Sequence, residues 1–499
     1  MNTFIKSFLR NQFLVPALIL ISSSILIFFF TDQFYNAIEV GSLWVREYFG
    51  TFYLWLGLGC VLFLLIIAFS KFGRLRLGNA PPDFNRLTWI AMLYSAGMGA
   101  GILLRAVQEP VFMKLNPPIN TGQTAEIISL EYTFYQWGFT AWAFYGLFAV
   151  IIGYSIFIDK QDIRLSSGFS SFRKHTFFSS SIDIITILTT VIGLVAAIGL
   201  GTSQIEGGLT HLESREPGSL LQNLILVFII CVLAFLSAWA GVKKGISKIS
   251  NWNIYIALGL LLFVFLQGNI LLILSNFFNS LYHYIFDFIP LSLASGKYDP
   301  GINFLTDWTY YYWAFWLAWA PFTGIFIARI SQGRTLREMV LGVLLIPSLG
   351  SFFWFSVFGT SAFEFIDTLP AYNDEFGNVF TSLFIFFETL PFPAVTSIIV
   401  IILLVSFLVT SVDSAIYVLS MFTDDGNTEP KKKYRLAWAV LIFIFCEAIV
   451  VLGTVKPDSN VLTAMQKFLI ISSLPFAMLS VLFIVLFSKK LLKRRKERI

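Results

Sequence analysis

Runs of roughly twenty apolar residues, the length an α-helix needs to cross the hydrocarbon core of a bilayer, recur along this chain. They fall at 13–31, 51–70, 88–112, 132–158, 181–205, 219–241, 251–278, 307–329, 337–360, 393–422, 434–453 and 460–488. A backbone in lipid must satisfy its own hydrogen bonds, and runs of this length do so as helices. The fold class expected is an all-α integral membrane protein with about 12 transmembrane helices. Composition agrees: of 499 residues, 57% are hydrophobic and 13% charged, whereas a soluble globule carries about 25% charged residues. No stretch between the runs is large enough for a soluble domain.

The net charge of +5 reads as topology rather than as a surface for nucleic acid, and no nucleic-acid partner is expected. Alternate loops are basic: Lys71, Arg74, Arg76 and Arg86 share a side with Lys160 and Arg164, Lys243 and Lys244, Arg329 and Arg334, Lys431 to Lys433, and the tail from Lys489 to Arg498. That side holds 27 of the 34 basic residues. By the positive-inside rule both termini are cytoplasmic, the number of spans is even, and the chain belongs in the plasma (inner) membrane. The first run is too long for a cleaved signal peptide. Cys60, Cys231 and Cys446 all fall inside apolar runs, which argues for packing rather than disulfides or a metal centre. No nucleophile, metal cluster or acid pair marks an enzyme, no cofactor is expected, and no continuous polar stripe marks a channel.

Two segments stand out. The stretch 308–322, WTYYYWAFWLAWAPF, concentrates four tryptophans with tyrosines and phenylalanines. Trp313, Trp316 and Trp319 follow at i, i+3 and i+6, with Tyr312 and Phe315 flanking, and are expected on one face. Ring faces attract cations, so converging rings make a site for a quaternary ammonium, which donates no hydrogen bond; the competing explanation is an interfacial aromatic belt or simple helix packing. Segment three contains Gly97-Met98-Gly99-Ala100-Gly101. Such glycine density predicts either an opened helix that lines a cavity or tight packing through Gly97 and Gly101. The two segments lie five spans apart and therefore run in opposite directions, the arithmetic of an inverted repeat. The division expected is an N-terminal tail with two peripheral helices (1–80), a first repeat of segments three to seven (81–280), an outer interfacial segment (281–306), a second repeat of segments eight to twelve (307–488) and a basic tail (489–499).

Five motifs occur in order: GMGAGILLRAVQEP at 97–110, QWGFTAWAFY at 136–145, GVKKGISKISNWN at 241–253, the block beginning WTYYYWAFWLAWAPFTGIFIARISQGRTLREMV at 308, and FLVTSVDS at 407–414. Together the sequence resembles the betaine/carnitine/choline transporters along most of its length. The resemblance implies a cation box of Trp137, Trp142, Tyr145 and Trp316, a path lined by Trp313, Phe315 and Trp319, and close backbone approach to the substrate at Gly97, Gly99 and Gly101. Phe315 stands where many members carry another tryptophan. It further implies a coupling sodium ion held by Thr410 and Ser411 with backbone near Ser95 and Met98, and Phe407 adjacent. A second sodium site would use Thr190 beside Phe322, but Leu194 and Ala197 stand where hydroxyls belong. The expected function is import of a quaternary-ammonium compatible solute, glycine betaine first, with choline or carnitine possible, by sodium-coupled alternating access. Alternatives are a sodium-independent exchanger, a proton-coupled importer of a related onium or sulfonate, or a sensor that binds without transport. A homotrimer in the lipid bilayer is also implied.

Some residues depart from that pattern. Arg105 occupies a position usually aromatic in the family, and a charge at membrane depth needs a partner or a function. Glu109, four residues on, is expected to form an ion pair with it; the sharper alternative is that Arg105 binds the anionic end of a substrate. Gln136 replaces a common histidine, and His175, His211 and His283 are expected in loops. Asp413 is expected to orient its helix, and Lys467 to snorkel to the interface.

Overall fold

The structure, a computed structural model, describes residues 11–97, 99–166, 176–214, 219–240, 243–424, 426–427, 429–455 and 460–496. Seventeen helices are numbered here: α1 (Leu14–Phe29), α2 (Thr31–Phe69), α3 (Arg86–Gly97), α4 (Ala100–Arg105), α5 (Gln108–Leu115), α6 (Ala125–Trp137), α7 (Phe139–Phe157), α8 (Thr176–Glu213), α9 (Leu220–Ala240), α10 (Lys243–Gln267), α11 (Ile270–Ser292), α12 (Tyr310–Ile330), α13 (Leu336–Thr368), α14 (Ser382–Glu388), α15 (Pro393–Thr423), α16 (Lys432–Leu452) and α17 (Val461–Lys496). No strand occurs among the described residues.

Among the described residues, nine of the helical stretches are long and apolar enough to cross a membrane, or ten if α10 and α11 count as one bent span. The rest of the twelve expected segments are the sixteen-residue α1 and the interrupted third segment, α3 to α5. The chain is an all-α multi-pass membrane protein.

Each interruption has a local cause. Segment three opens at Gly99, whose backbone is extended, the first of the two alternatives that the glycine density allows. Segment four breaks at Gly138, immediately after Trp137. A Cβ at Gly138 would lie 2.6 Å from Phe352 Cζ and from Tyr284 Oη, so only glycine fits, and the freed Phe139 amide donates to Tyr284 Oη at 2.8 Å. The break therefore leaves that amide paired. Segment seven, expected to run to 278, ends at Gln267, and α11 departs at 112°. Asn269 caps the new helix by accepting from the Leu272 amide at 3.2 Å. The expected outer helix thus begins at Ile270, before the residues assigned to it.

The packing places α7 and α12 at the centre. The α6–α7 stretch is almost wholly buried, whereas α9 turns Phe228, Leu233 and Leu236 outward. Exposed apolar side chains suit a helix whose solvent is lipid. Gly324 allows the central contact, because a Cβ there would sit 2.6 Å from Phe148 Cβ.

Two lysines on the less basic side are paired. Lys114 binds Glu126 and Asp367 at 3.1 and 2.7 Å. Lys467, expected to snorkel, instead meets Glu39 at 2.6 Å and the Tyr35 hydroxyl at 3.1 Å. The three cysteines are buried and free, as packing residues.

Candidate functional site

The break at Gly138 delivers Trp137 into the seam between α7 and α12. Its ring meets that of Trp316 at 5.1 Å between centroids and 73° between planes. Trp142 and Tyr145, one turn apart on α7, stand edge to face at 5.3 Å and 87°. Tyr145 in turn meets Trp316 at 6.0 Å and 86°. Four rings from three helices therefore pack edge to face, nearly at right angles, and all four line one cavity. Phe315 abuts Trp316 at 5.4 Å.

These rings line one end of a cavity of about 910 Å³. Gly99, Gly101, Phe315 and Trp319 share its wall, as do Phe407, Thr410 and Ser411 from α15. A Cβ at Gly101 would lie 3.5 Å from Trp137 Cη2, so backbone and indole approach closely there. The cavity continues past Phe322, Thr323 and Asp413 to Arg329, Glu429 and Arg435. It thus extends from the ring cluster toward the side where the basic loops gather.

Hydrogen bonds fix the rings. Trp316 Nε1 donates to the Gln136 carbonyl at 3.0 Å. Trp137 Nε1 donates to both carboxylate oxygens of Glu109, at 3.2 and 3.3 Å, and the Tyr312 hydroxyl donates to the same carboxylate. One fully buried acid from α5 therefore ties α6 to α12.

Trp313 is placed elsewhere. It is fully buried behind the seam against Tyr135 and Phe144, at 5.1 and 6.2 Å, and does not line the cavity. Three residues turn a helix by about 300°, so each step lags by about 60°, and Trp313, Trp316 and Trp319 spiral rather than share a face. The Arg105–Glu109 ion pair is absent as well. The α4 helix ends at Arg105 and α5 begins at Gln108, so the two residues are not on one continuous helical face, and the Glu109 oxygens are taken by Trp137 and Tyr312. Arg105 instead donates to Gln108 Oε1 at 2.6 Å and lies over the Trp308 ring at 4.9 Å.

On α15, Thr410 Oγ1 donates to the Ser406 and Phe407 carbonyls at 2.9 and 3.1 Å. Its lone pairs remain available to a hard cation, and Ser411 adds a second oxygen. Gly97 ends α3; Met98 and the surroundings of the Ser95 side chain lie outside the described residues. Thr190 is buried and bonds back to the Thr186 carbonyl at 2.8 Å, while Leu194, Ala197 and Phe322 line the cavity. His211 pairs with Glu388 at 3.1 Å and His283 with Asp287 at 3.6 Å, both away from the rings; His175 lies outside the described residues.

Several further residues of the wall carry no signal in the sequence. Gln204 on α8 is fully buried, and both its amide atoms lack a protein partner among the described residues. The Trp319 indole N–H is likewise unpartnered. Such donors in a cavity wall are suited to a ligand or to water. Asp413 accepts from Ser237 Oγ at 3.1 Å, joining α15 to α9, which agrees with a helix-orienting role. A lone glutamine in an apolar helix carries no sequence signal of this kind.

Comparison with known proteins now supplies the family. The sequence profile of the betaine/carnitine/choline family transporters matches residues 12–496. The chain is 35% identical over 475 residues to the glycine betaine transporter OpuD of Bacillus subtilis (strain 168), covering 93% of this chain and 91% of that one. It is 33% identical over 460 residues to the high-affinity choline transport protein of Escherichia coli (strain K12), covering 89% of this chain and 66% of the relative. Against the ectoine/hydroxyectoine transporter of Virgibacillus pantothenticus the identity is 32% over 467 residues, 90% of each chain. This chain belongs to the betaine/carnitine/choline transporter family.

Proposed function

We propose that this transporter imports a quaternary-ammonium compatible solute, glycine betaine first, by sodium-coupled alternating access. The observation that carries the reading is the cage of Trp137, Trp142, Tyr145 and Trp316 at the end of a cavity. A trimethylammonium group has no N–H to satisfy, so it needs polarisable faces rather than acceptors. Each ring contributes at most about 2 kcal/mol to a desolvated cation, which binds it and still permits release. Relatives named as glycine betaine and choline transporters support the same substrate class.

Coupling is read from α15. Thr410 and Ser411 share the cavity wall with Gly99 and Ala100, at the start of α4. An ion between them would bridge two helices, and filling that site would draw the opened third segment toward α15. The cavity reaches the basic side while the rings of Phe304, Trp308 and Tyr312 stack on the other. That asymmetry is what one end state of alternating access requires.

Uptake of labelled glycine betaine into proteoliposomes, with and without an inward sodium gradient, tests the reading. Concentrative uptake only with the gradient is expected. Uptake indifferent to sodium would replace the coupled mechanism with exchange, and binding without accumulation would make the protein a sensor.

A further inference from the structure

The pair expected between Arg105 and Glu109 does not form, and this leaves a buried guanidinium without a neutralising contact. Arg105 is 6% exposed. Of its five N–H donors, the structure engages one, to Gln108, and no ion pair to it exists among the described residues. Burying a charge on these terms is costly, and a site that retains one has a use for it.

Its position indicates the use. From the outer end of the eighth segment, Phe304, Trp308, Tyr312 and Trp316 follow at intervals of four residues. Successive rings lie 6.0, 6.5 and 6.0 Å apart with planes inclined by 13°, 19° and 28°. They form a ladder of nearly parallel faces whose last rung is a wall of the cage. Arg105 covers the second rung. It also follows Gly101, a cavity-lining residue, by one helical turn.

In this structure that side is closed, with Phe112 stacked on Trp308 at 4.9 Å; once it opens, a zwitterion entering along the ladder would set its onium group at Tyr312 with its carboxylate at the guanidinium. Arginine suits that task, since its planar fork accepts a carboxylate bidentately. A cation without a carboxylate meets the same rings and gains nothing from Arg105, whose charge repels it.

We propose that Arg105, with Trp308 and Tyr312, forms an outer subsite for the carboxylate end of zwitterionic onium substrates, and that Arg105 sets the preference for them over purely cationic ones such as choline. The proposal rests on reading the cage as a quaternary-ammonium site and adds a selectivity residue to it.

The test is uptake of glycine betaine and of choline by proteoliposomes carrying wild type, Arg105→Gln and Arg105→Lys, with thermal unfolding of each purified protein in parallel. In Arg105→Gln, KM for glycine betaine is expected to rise about tenfold or more while KM for choline stays or falls, and Arg105→Lys restores part of the preference. Equal shifts for both substrates, or an unchanged ratio, overturn the proposal and leave the cage standing. Should Arg105→Gln fail to fold, Arg105→Lys decides alone: it keeps the charge and loses the fork, so the betaine-to-choline preference must weaken about threefold or more without inverting. Wild-type protein that neither takes up nor binds either solute overturns the cage and this subsite together.

Discussion

Trp137 and Glu109 are joined by a forked hydrogen bond in which the indole N–H reaches both carboxylate oxygens, at 3.2 and 3.3 Å. The first ring of the cage is thereby held by an acid from the interrupted third segment, and the Tyr312 hydroxyl is held by the same acid. Replacement of Glu109 by alanine leaves two buried donors without an acceptor, at about 1–3 kcal/mol each. We expect Glu109→Ala to weaken glycine betaine binding about tenfold or more in a calorimetric titration, with Glu109→Gln, which keeps one acceptor, less affected.

The close approach at Gly101 predicts a graded response. A Cβ there meets Trp137 at an ordinary contact distance of 3.5 Å, so Gly101→Ala should bind substrate nearly as wild type does. A side chain extending further enters the cavity that Gly101 lines. Gly101→Leu should therefore lose binding while the protein still unfolds cooperatively, as followed by intrinsic fluorescence on heating.

Gly138 has no such tolerance. Its substitution by alanine drives a methyl group to 2.6 Å from Phe352 and the Tyr284 hydroxyl, and overpacking of a dense core costs about 1–3 kcal/mol. Gly138→Ala should lower the thermal midpoint of the detergent-solubilised protein and also weaken binding, because Trp137 is aimed by that break. An unchanged midpoint would show that the seam has slack the packing does not reveal.

Sodium dependence should separate from substrate affinity at α15. Thr410→Ala and Ser411→Ala each remove one oxygen from the cavity wall near Gly99 without touching a ring of the cage. We expect the sodium concentration for half-maximal uptake to rise about tenfold in each, with uptake at saturating sodium largely retained. A loss of uptake that no sodium concentration restores would place these hydroxyls in the packing instead.

Much of this was legible in the chain because a bilayer imposes a simple code of run length, charge side and glycine density. The opening of segment three is only half written in that code: the glycines at 97–101 allow an opened helix or tight packing, and it is the structure that ends α3 at Gly97. The break at Gly138 was not legible, since one glycine among aromatics fits a continuous helix equally well, and only Phe352 and Tyr284, distant in sequence, exclude a side chain there. Trp313 was misplaced because spacing by three residues drifts around a helix, and its neighbour Tyr135 lies on another segment. The Arg105–Glu109 pairing failed for a related reason. The i, i+4 rule presumes an unbroken helix, and the turn between Arg105 and Gln108 removes that premise. Gln204 carries no signal until the cavity beside it is known.

The central claim is that edge-to-face rings, and not hydrogen bonds, hold the substrate's methylated nitrogen. Calorimetric titration of wild type and Trp316→Leu with glycine betaine, dimethylglycine and glycine tests it most directly. The cage predicts affinity falling stepwise as methyl groups are removed, and a loss of about tenfold or more for glycine betaine in Trp316→Leu that flattens the series. Equal affinity across the three ligands, or full glycine betaine affinity in the variant, would contradict it.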